Sequence, residues 1–388
     1  TACSPAPCGD FDSAIAFNGS NSGLGNNIHG TLTVTGNTFT NPRYSGLDVQ
    51  SDDGTVTSAT VSNNTISNPG FSGINFVGTG NGSTAFDLNG ATINQNTITG
   101  TGGNGIQVSI SNASRTGPGA TAGIPSDPSN RISITNNSIA SIDSTGTQAI
   151  TYALEGANAS SRSRGNFLIQ CNGKNTGGCT APNGSALGSS AIGTVVLIGN
   201  NGYATATGTV DNNVIAASHS PNLGGGNGIA GGNGTAGTGN AETPNLTLTV
   251  TNNSISGTDG NGILLVGRGV SGTLNLKVES NTVGAAVNAG GTAREGIRVD
   301  AGNASSANDS VCTTISNNVS AGSNGASGVG IRKQGTVATV NVFGITGLSP
   351  SPATGPQAAS FVAGQNPAGN GVDNISGDQF VSCSSAPS

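Results

Sequence analysis

A β-branched residue, two asparagines, a second β-branched residue, a short loop and then Gly-Ile make up ATVSNNTISNPGFSGINF, Ala59 to Phe76. The chain writes this phrase again and again. The second position of the Asn-Asn pair recurs as Asn37, Asn64, Asn96, Asn137, Asn172, Asn213, Asn253, Asn281 and Asn318, at intervals of 27, 32, 41, 35, 41, 40, 28 and 37 residues. Three residues before each stands Val34, Val61, Ile93, Ile134, Ile169, Val210, Val250, Val278 or Ile315. Two residues after stands Phe39, Ile66, Ile98, Ile139, Ile215, Ile255 or Val283. The exceptions are Lys174 and Ser320, and beside the latter Val319 reads as an aliphatic displaced by one. Gly followed by an aliphatic closes the phrase at Leu47, Ile74, Ile106 and Ile263, and again after longer loops at Ile229, Ile297 and Ile331.

Period-two alternation, as in TLTVTGNTF and LTLTVTNNSI, predicts short strands with one buried face. Asn bends the chain between strands because it tolerates left-handed backbone angles. The variable interval falls in loops, where insertion costs little. A unit this small cannot bury its apolar face alone, whereas stacked copies can, each strand pairing with its counterpart one coil away. The phrase recurs because each coil must set the same side chain over its predecessor's, with the asparagines able to form a ladder at the bend.

Composition agrees with a long, thin β body. Only 8% of the 388 residues are charged and 3% aromatic, with 65 Gly and no Met or Trp, where an ordinary domain has about 25% charged. A net charge of −6 and 33% hydrophobic residues argue against charge-driven disorder, and Gly lacks the collagen period. The 12 scattered Lys and Arg form no basic stripe, so no nucleic-acid partner is expected. No stretch reaches the roughly 18 apolar residues of a membrane span. A chain beginning at Thr1 reads either as one whose signal peptide was removed or as an excised fragment.

Six cysteines allow 15 connectivities. Cys3 and Cys8, and Cys171 and Cys179, each bracket a short polar loop, which favours Cys3–Cys8, Cys171–Cys179 and, by elimination, Cys312–Cys383. Disulfides imply an oxidising, extracellular or cell-surface location. A zinc site is disfavoured, since there is no CxxC and His29 and His219 lie far from the cysteine pairs in sequence. No metal or cofactor is expected.

The repeated phrase, over roughly residues 30 to 335, resembles the right-handed parallel β-helix, the pectate-lyase-like solenoid. The NNTI…GNGI wording is more narrowly similar to β-helix repeats of large bacterial surface or secreted proteins. The expected fold is all-β, a right-handed parallel β-helix of about nine coils. Residues 1–30 form an N-terminal cap, 31–335 the solenoid and 336–388 a C-terminal cap or tail, with the Pro-rich GLSPSPATGP as a covering loop.

The resemblance also implies where an enzyme of this fold would work, on outward residues of the Gly-Ile strands. There the chain offers Asp48, Asn75, Gln107, Ala230, Leu264, Arg298 and Arg332. A lyase needs clustered carboxylates for calcium and a nearby basic group, but Asp48 lies several coils from Arg298. Arg43 is nearer but sits in a loop. Asp52 and Asp53, in SDDGT, read as a turn rather than a hydrolase pair. The densest charge is in REGIRVD and GIRKQ. Its Arg294, Arg298, Arg332 and Lys333 are the candidate anion- or glycan-binding residues, against a simpler reading in which Glu295 or Asp300 bridges coils to Arg332. His29 and His219 read as loop or cap residues. The functional expectation is a non-enzymatic extracellular structural or adhesive solenoid, with cell-surface glycans or copies of itself as partners. The alternatives are a polysaccharide lyase or hydrolase, and an ice-binding solenoid presenting a Thr ladder.

Overall fold

The structure is a computed structural model. It describes residues 13–19, 27–80, 84–111, 118–140, 142, 148–156, 158–188, 193–216, 226–234, 242–287, 291–302, 309–334, 338–345, 353–367, 372–376, 380–381 and 383. Cys3, Cys8 and His219, and with them the expected Cys3–Cys8 bond, lie outside the described residues.

The chain folds as an all-β parallel solenoid. One coil consists of a leading strand Gly54–Ser62, the Asn bend, a short middle strand Thr65–Ser67 and a trailing strand Ile74–Gly78. Corresponding strands of successive coils pair in parallel. The trailing strands form an 11-stranded sheet and the leading strands a 13-stranded one, while the middle strands split into two four-stranded sheets. At about 4.8 Å per strand the trailing sheet is about 48 Å long.

Register explains the sequence pattern. Val34, Val61, Ile93, Ile134, Ile169, Val210, Val250, Val278 and Ile315 stand over one another in one inward column, each nearly inaccessible. Burying such a side chain contributes about 1.5–3 kcal/mol. The residue before each ladder asparagine makes the bend. Asn63, Gln95, Asn136, Cys171, Asn212, Asn252, Ser280 and Asn317 all have φ between 53° and 59°, a region Asn tolerates better than most residues.

The second asparagine builds the ladder. Each side-chain amide donates to the next coil's asparagine Oδ1, from Asn37 to Asn64 at 3.0 Å and so on through Asn281 to Asn318 at 3.0 Å. The same Oδ1 accepts a backbone N–H, as Asn96 does from Asn64 at 3.0 Å. The glycine before the trailing strand leaves room for the next coil. A Cβ on Gly73 would lie 2.5 Å from Ile98 Cγ2, and one on Gly105 2.5 Å from Ile139 Cγ2. Two trailing strands, Ile150–Gly156 and Val196–Gly202, carry Ala149 and Val195 instead, so the Gly-Ile signal misses them.

Three expectations are corrected. Lys174 marks no gap in the middle column: Leu187, fully buried, fills it, bridging in parallel to Ile215 after the Cys171–Cys179 loop. Val319 is not a displaced inward aliphatic. Ser320 pairs with Val283 and points in, its hydroxyl donating to Gly328 O at 2.7 Å, and Val319 is 51% exposed. Ile331 is not the counterpart of Ile297. Val329 is, and Ile331 pairs with Val299, so the last Gly-Ile stands two residues out of step.

The parallel ladder also extends beyond residues 31–335. Ile15–Gly19 pairs with Leu47–Ser51 at one end. At the other, Thr339–Val342, Val372–Ser376 and Phe380–Val381 add further strands. Between them lies a helix, Gly355–Gln365, with Thr354 at its N-cap and Pro356 in its first turn. Asn366 follows it and takes the next rung of the ladder, accepting from Asn318 Nδ2 at 3.1 Å and donating to Ile315 O at 3.1 Å. Cys312 and Cys383 are disulfide-bonded, Cα atoms 5.8 Å apart, as are Cys171 and Cys179 at 5.3 Å. Disulfides persist in oxidising compartments, and these two are consistent with one.

Candidate functional site

The charged cluster forms on the outer face of the trailing sheet because alternation turns Arg298 and Asp300 outward while Ile297 and Val299 point in. The two-residue register shift of the last coil sets Arg332 beside Asp300, with Gly330 beside Arg298. Had Ile331 lain over Ile297, the two arginines would have been neighbours. Instead Asp300 binds both: Arg298 Nε donates to Oδ1 at 2.9 Å, and Arg332 Nη2 to Oδ2 at 2.7 Å. Glu295 Oε2 adds a contact to Arg298 Nη1 at 3.6 Å.

Two guanidinium groups thus face two carboxylates, and the network is balanced. Asp300 is 1% exposed and bridges two coils. Partial burial works to lower the Arg298 pKa, but its bonds to Asp300 and the charge of Glu295 outweigh this and hold it above its ordinary value. Arg294 and Lys333 do not join the network through any ion pair among the described residues. Arg294 lies in an antiparallel bridge with Ser323, and Lys333 ends the strand Val329–Lys333 opposite Ala301.

The acidic candidates lie apart from this cluster. Asp48 is buried and accepts from Asn75 Nδ2 at 2.7 Å and Gln50 Nε2 at 3.0 Å. Asp52 and Asp53 form the bend between a trailing and a leading strand, where Asp53 Oδ1 accepts from Gly54 N at 2.7 Å. His29 Nδ1 accepts from Thr55 N at 3.3 Å in the first leading strand. Among the described residues no three His, Cys, Asp or Glu side chains converge as metal ligands, and no helix is long and apolar enough to cross a membrane.

Sequence reasoning missed a concavity on the opposite, leading sheet. It has a volume of about 770 Å³ and is lined by Arg162 and Arg164 among hydroxyl-bearing side chains. The available signal was SRSRG, two arginines spaced for one face of a strand. On the trailing sheet a smaller apolar depression of about 280 Å³ lies over Leu197, Leu264 and Val266.

Compared with protein-family models, curated proteins and solved structures, the chain matches none. The fold and its side chains therefore carry the functional argument.

Proposed function

We propose that the chain is a non-enzymatic extracellular solenoid of pectate-lyase-like coil geometry, a structural or adhesive rod of a cell surface or extracellular assembly. The observation that supports this best is the closed charge network around Asp300. A lyase base must give up its proton near working pH, and Arg298 is held the other way, protonated by Asp300 and Glu295. The cluster ties adjacent coils together, as does the asparagine ladder, and Cys312–Cys383 ties the C-terminal coils to the tail. The ice-binding alternative has narrower support. Thr207 and Thr209 stack on Thr247 and Thr249, but Asn166 and Leu168 precede them in register and Asn275 and Lys277 follow.

The test is turnover. Purified protein incubated with polygalacturonate, alginate or a glycosaminoglycan is expected to yield neither unsaturated-uronate absorbance nor new reducing ends. Product that disappears in Arg298→Ala would replace this reading with the lyase. Protease shaving of intact producing cells, followed by detection of released coils, checks the surface location.

A further inference from the structure

The leading-sheet cleft is lined by residues on or beside four successive leading strands, among them Asn89, Thr121, Arg164 and Thr205, and by the loops next to them. Its outward column reads Asp87, Thr121, Arg164, Thr205 and Asn245. Arg164 projects outward because its neighbour Gly165 packs inward, where an added Cβ would lie 2.1 Å from the Tyr152 hydroxyl. Arg164 is exposed; its backbone N–H donates to Ala120 O at 2.9 Å, while its guanidinium has no hydrogen bond or ion pair with another described residue.

Arg162, two residues earlier, is fixed. Its Nε donates to Thr205 Oγ1 at 3.1 Å and its Nη1 to Thr243 Oγ1 at 2.8 Å, while Nη2 reaches the carbonyls of Ala204 and Thr243. Those bonds use four of the five guanidinium donors and leave an Nη1 hydrogen. Each of these acceptors is neutral, so the charge is held in place by dipoles, and among the described residues no carboxylate forms an ion pair with it. This is the reverse of Arg298.

The walls are ordered as well. One is the turn around Ile124 and Pro125, anchored where Asn166 Nδ2 donates to Ile124 O at 3.2 Å. The Asp127 carboxylate in this wall is turned onto Ser129 and Asn130 at 2.5–2.9 Å, and these bonds hold its pKa below the ordinary value. The other wall is the tight turn in which Asn158 Oδ1 accepts from Ser160 N at 3.0 Å and Ser161 N at 2.8 Å. Asp87, two strands from Arg164 in the column, accepts from Thr121 N at 2.8 Å.

We propose that this cleft binds an acidic oligosaccharide, with Arg164 and Arg162 engaging its carboxylates or sulfates. Guanidinium groups pair with both kinds of oxyanion through parallel hydrogen bonds. The hydroxyls of Thr121, Ser126, Ser160 and Thr205 suit a polyhydroxylated ligand, and Ile124 and Pro125 offer a small apolar surface to the face of a sugar ring. The volume falls within the roughly 300–1,000 Å³ of small-ligand sites. Because the whole chain carries a net charge of −6, polyanion binding must be local to a site of this kind. The inference goes beyond the rod reading, and binding without turnover leaves that reading intact.

Calorimetric titration with three oligosaccharides of equal length, one uronate, one sulfated and one neutral, tests it. At least one acidic ligand is expected to bind and the neutral one not to. Arg164→Gln, a change at an exposed side chain, is expected to weaken binding about tenfold or more, as loss of one charge-assisted pair implies. Lys277→Gln, which removes the same charge elsewhere on the sheet, is expected to leave affinity unchanged. The two acidic arms identify carboxylate or sulfate as the preferred group. No acidic binding at millimolar ligand, equal binding of the neutral sugar, undiminished affinity in Arg164→Gln, or equal losses in both variants would each overturn the proposal.

Discussion

Asn253 shows how much one repeated side chain does. Its Nδ2 donates to Val210 O at 2.9 Å and Asn281 Oδ1 at 3.0 Å, and its Oδ1 accepts from Asn213 N at 3.1 Å and Asn213 Nδ2 at 2.9 Å. A buried polar group left unpaired costs about 1–3 kcal/mol, so the bend tolerates few replacements, and recurrence makes such a residue legible in sequence. Asp309 is the opposite case, visible only in the fold. Its Oδ1 accepts from Gly272 N at 2.6 Å, but its buried Oδ2 has no hydrogen-bond partner, and buried Glu242 stands near. Burial, reinforced by the Glu242 charge, raises its pKa to about 6 from 3.8. Between those values the folded state holds more protons than the unfolded one, so this group's contribution to stability falls as pH rises and the full cost is present above about pH 6. The shift corresponds to about 3 kcal/mol. Asp309→Asn keeps the accepting oxygen and removes the charge. Thermal melts should show it more stable than the wild type at pH 7–8, with the gain shrinking to nothing near pH 4. An equal gain at both pH values would refute the assignment.

At the scale of elements, sequence distance hid what spatial register makes plain. The coil after Asn172 lacks its aliphatic at the expected spacing because the chain leaves the wall, closes a disulfide loop, and returns with Leu187. Its backbone completes the interrupted middle sheet: Leu187 N donates to Val214 O at 2.8 Å, and Ala216 N to Leu187 O at 2.9 Å. No fixed offset from the asparagine predicts a residue delivered by an insertion. The register of the last coil was hidden for a related reason, since GVGIRKQ offers two aliphatics at strand spacing. The choice of Val329 over Ile331 coincides with the pairing of Arg332 to Asp300. The leading-strand column and the bends were legible because they repeat at constant offsets. The Arg162–Arg164 cleft was not, because its walls come from loops that differ in every coil. Leu187→Ala, which opens a cavity in an otherwise dry column, is expected to cost about 2–5 kcal/mol. Lys174→Ala, at the position the spacing picks out, should cost far less, since among the described residues its amine bonds only the half-buried Asn212 side chain, outside the apolar column. Chemical denaturation of the two variants ranks them, and equal losses would show that Leu187 does not carry the column.

For the whole molecule the governing question is how a stack of identical edges ends. An uncovered terminal coil presents unpaired backbone groups that invite strand addition. Here the C-terminal end is built by successive substitutions of the repeat's parts. Thr339–Val342 adds a leading strand, Asn366 stands in for the ladder asparagine, and Val372–Ser376 adds a trailing strand. Phe380, buried beyond Val340, extends the leading sheet once more. The tail is thus held by its own packing as well as by Cys312–Cys383, whose separation of 71 residues is worth about 4 kcal/mol in the chain-entropy account. These contributions are local, because each coil touches only its neighbours. Cys383→Ser should therefore loosen the end without melting the rod. In limited proteolysis, cleavage is expected first on the C-terminal side of Asn366, where two strands lose their covalent tie. The helix and the coils through Asn318 should persist, held by the bonds of Asn366 to Asn318 and Ile315. Mass spectrometry of the early fragments reads the order directly. Early cuts spread through the N-terminal coils would mean that the solenoid unfolds as one cooperative body and that the disulfide stabilises all of it.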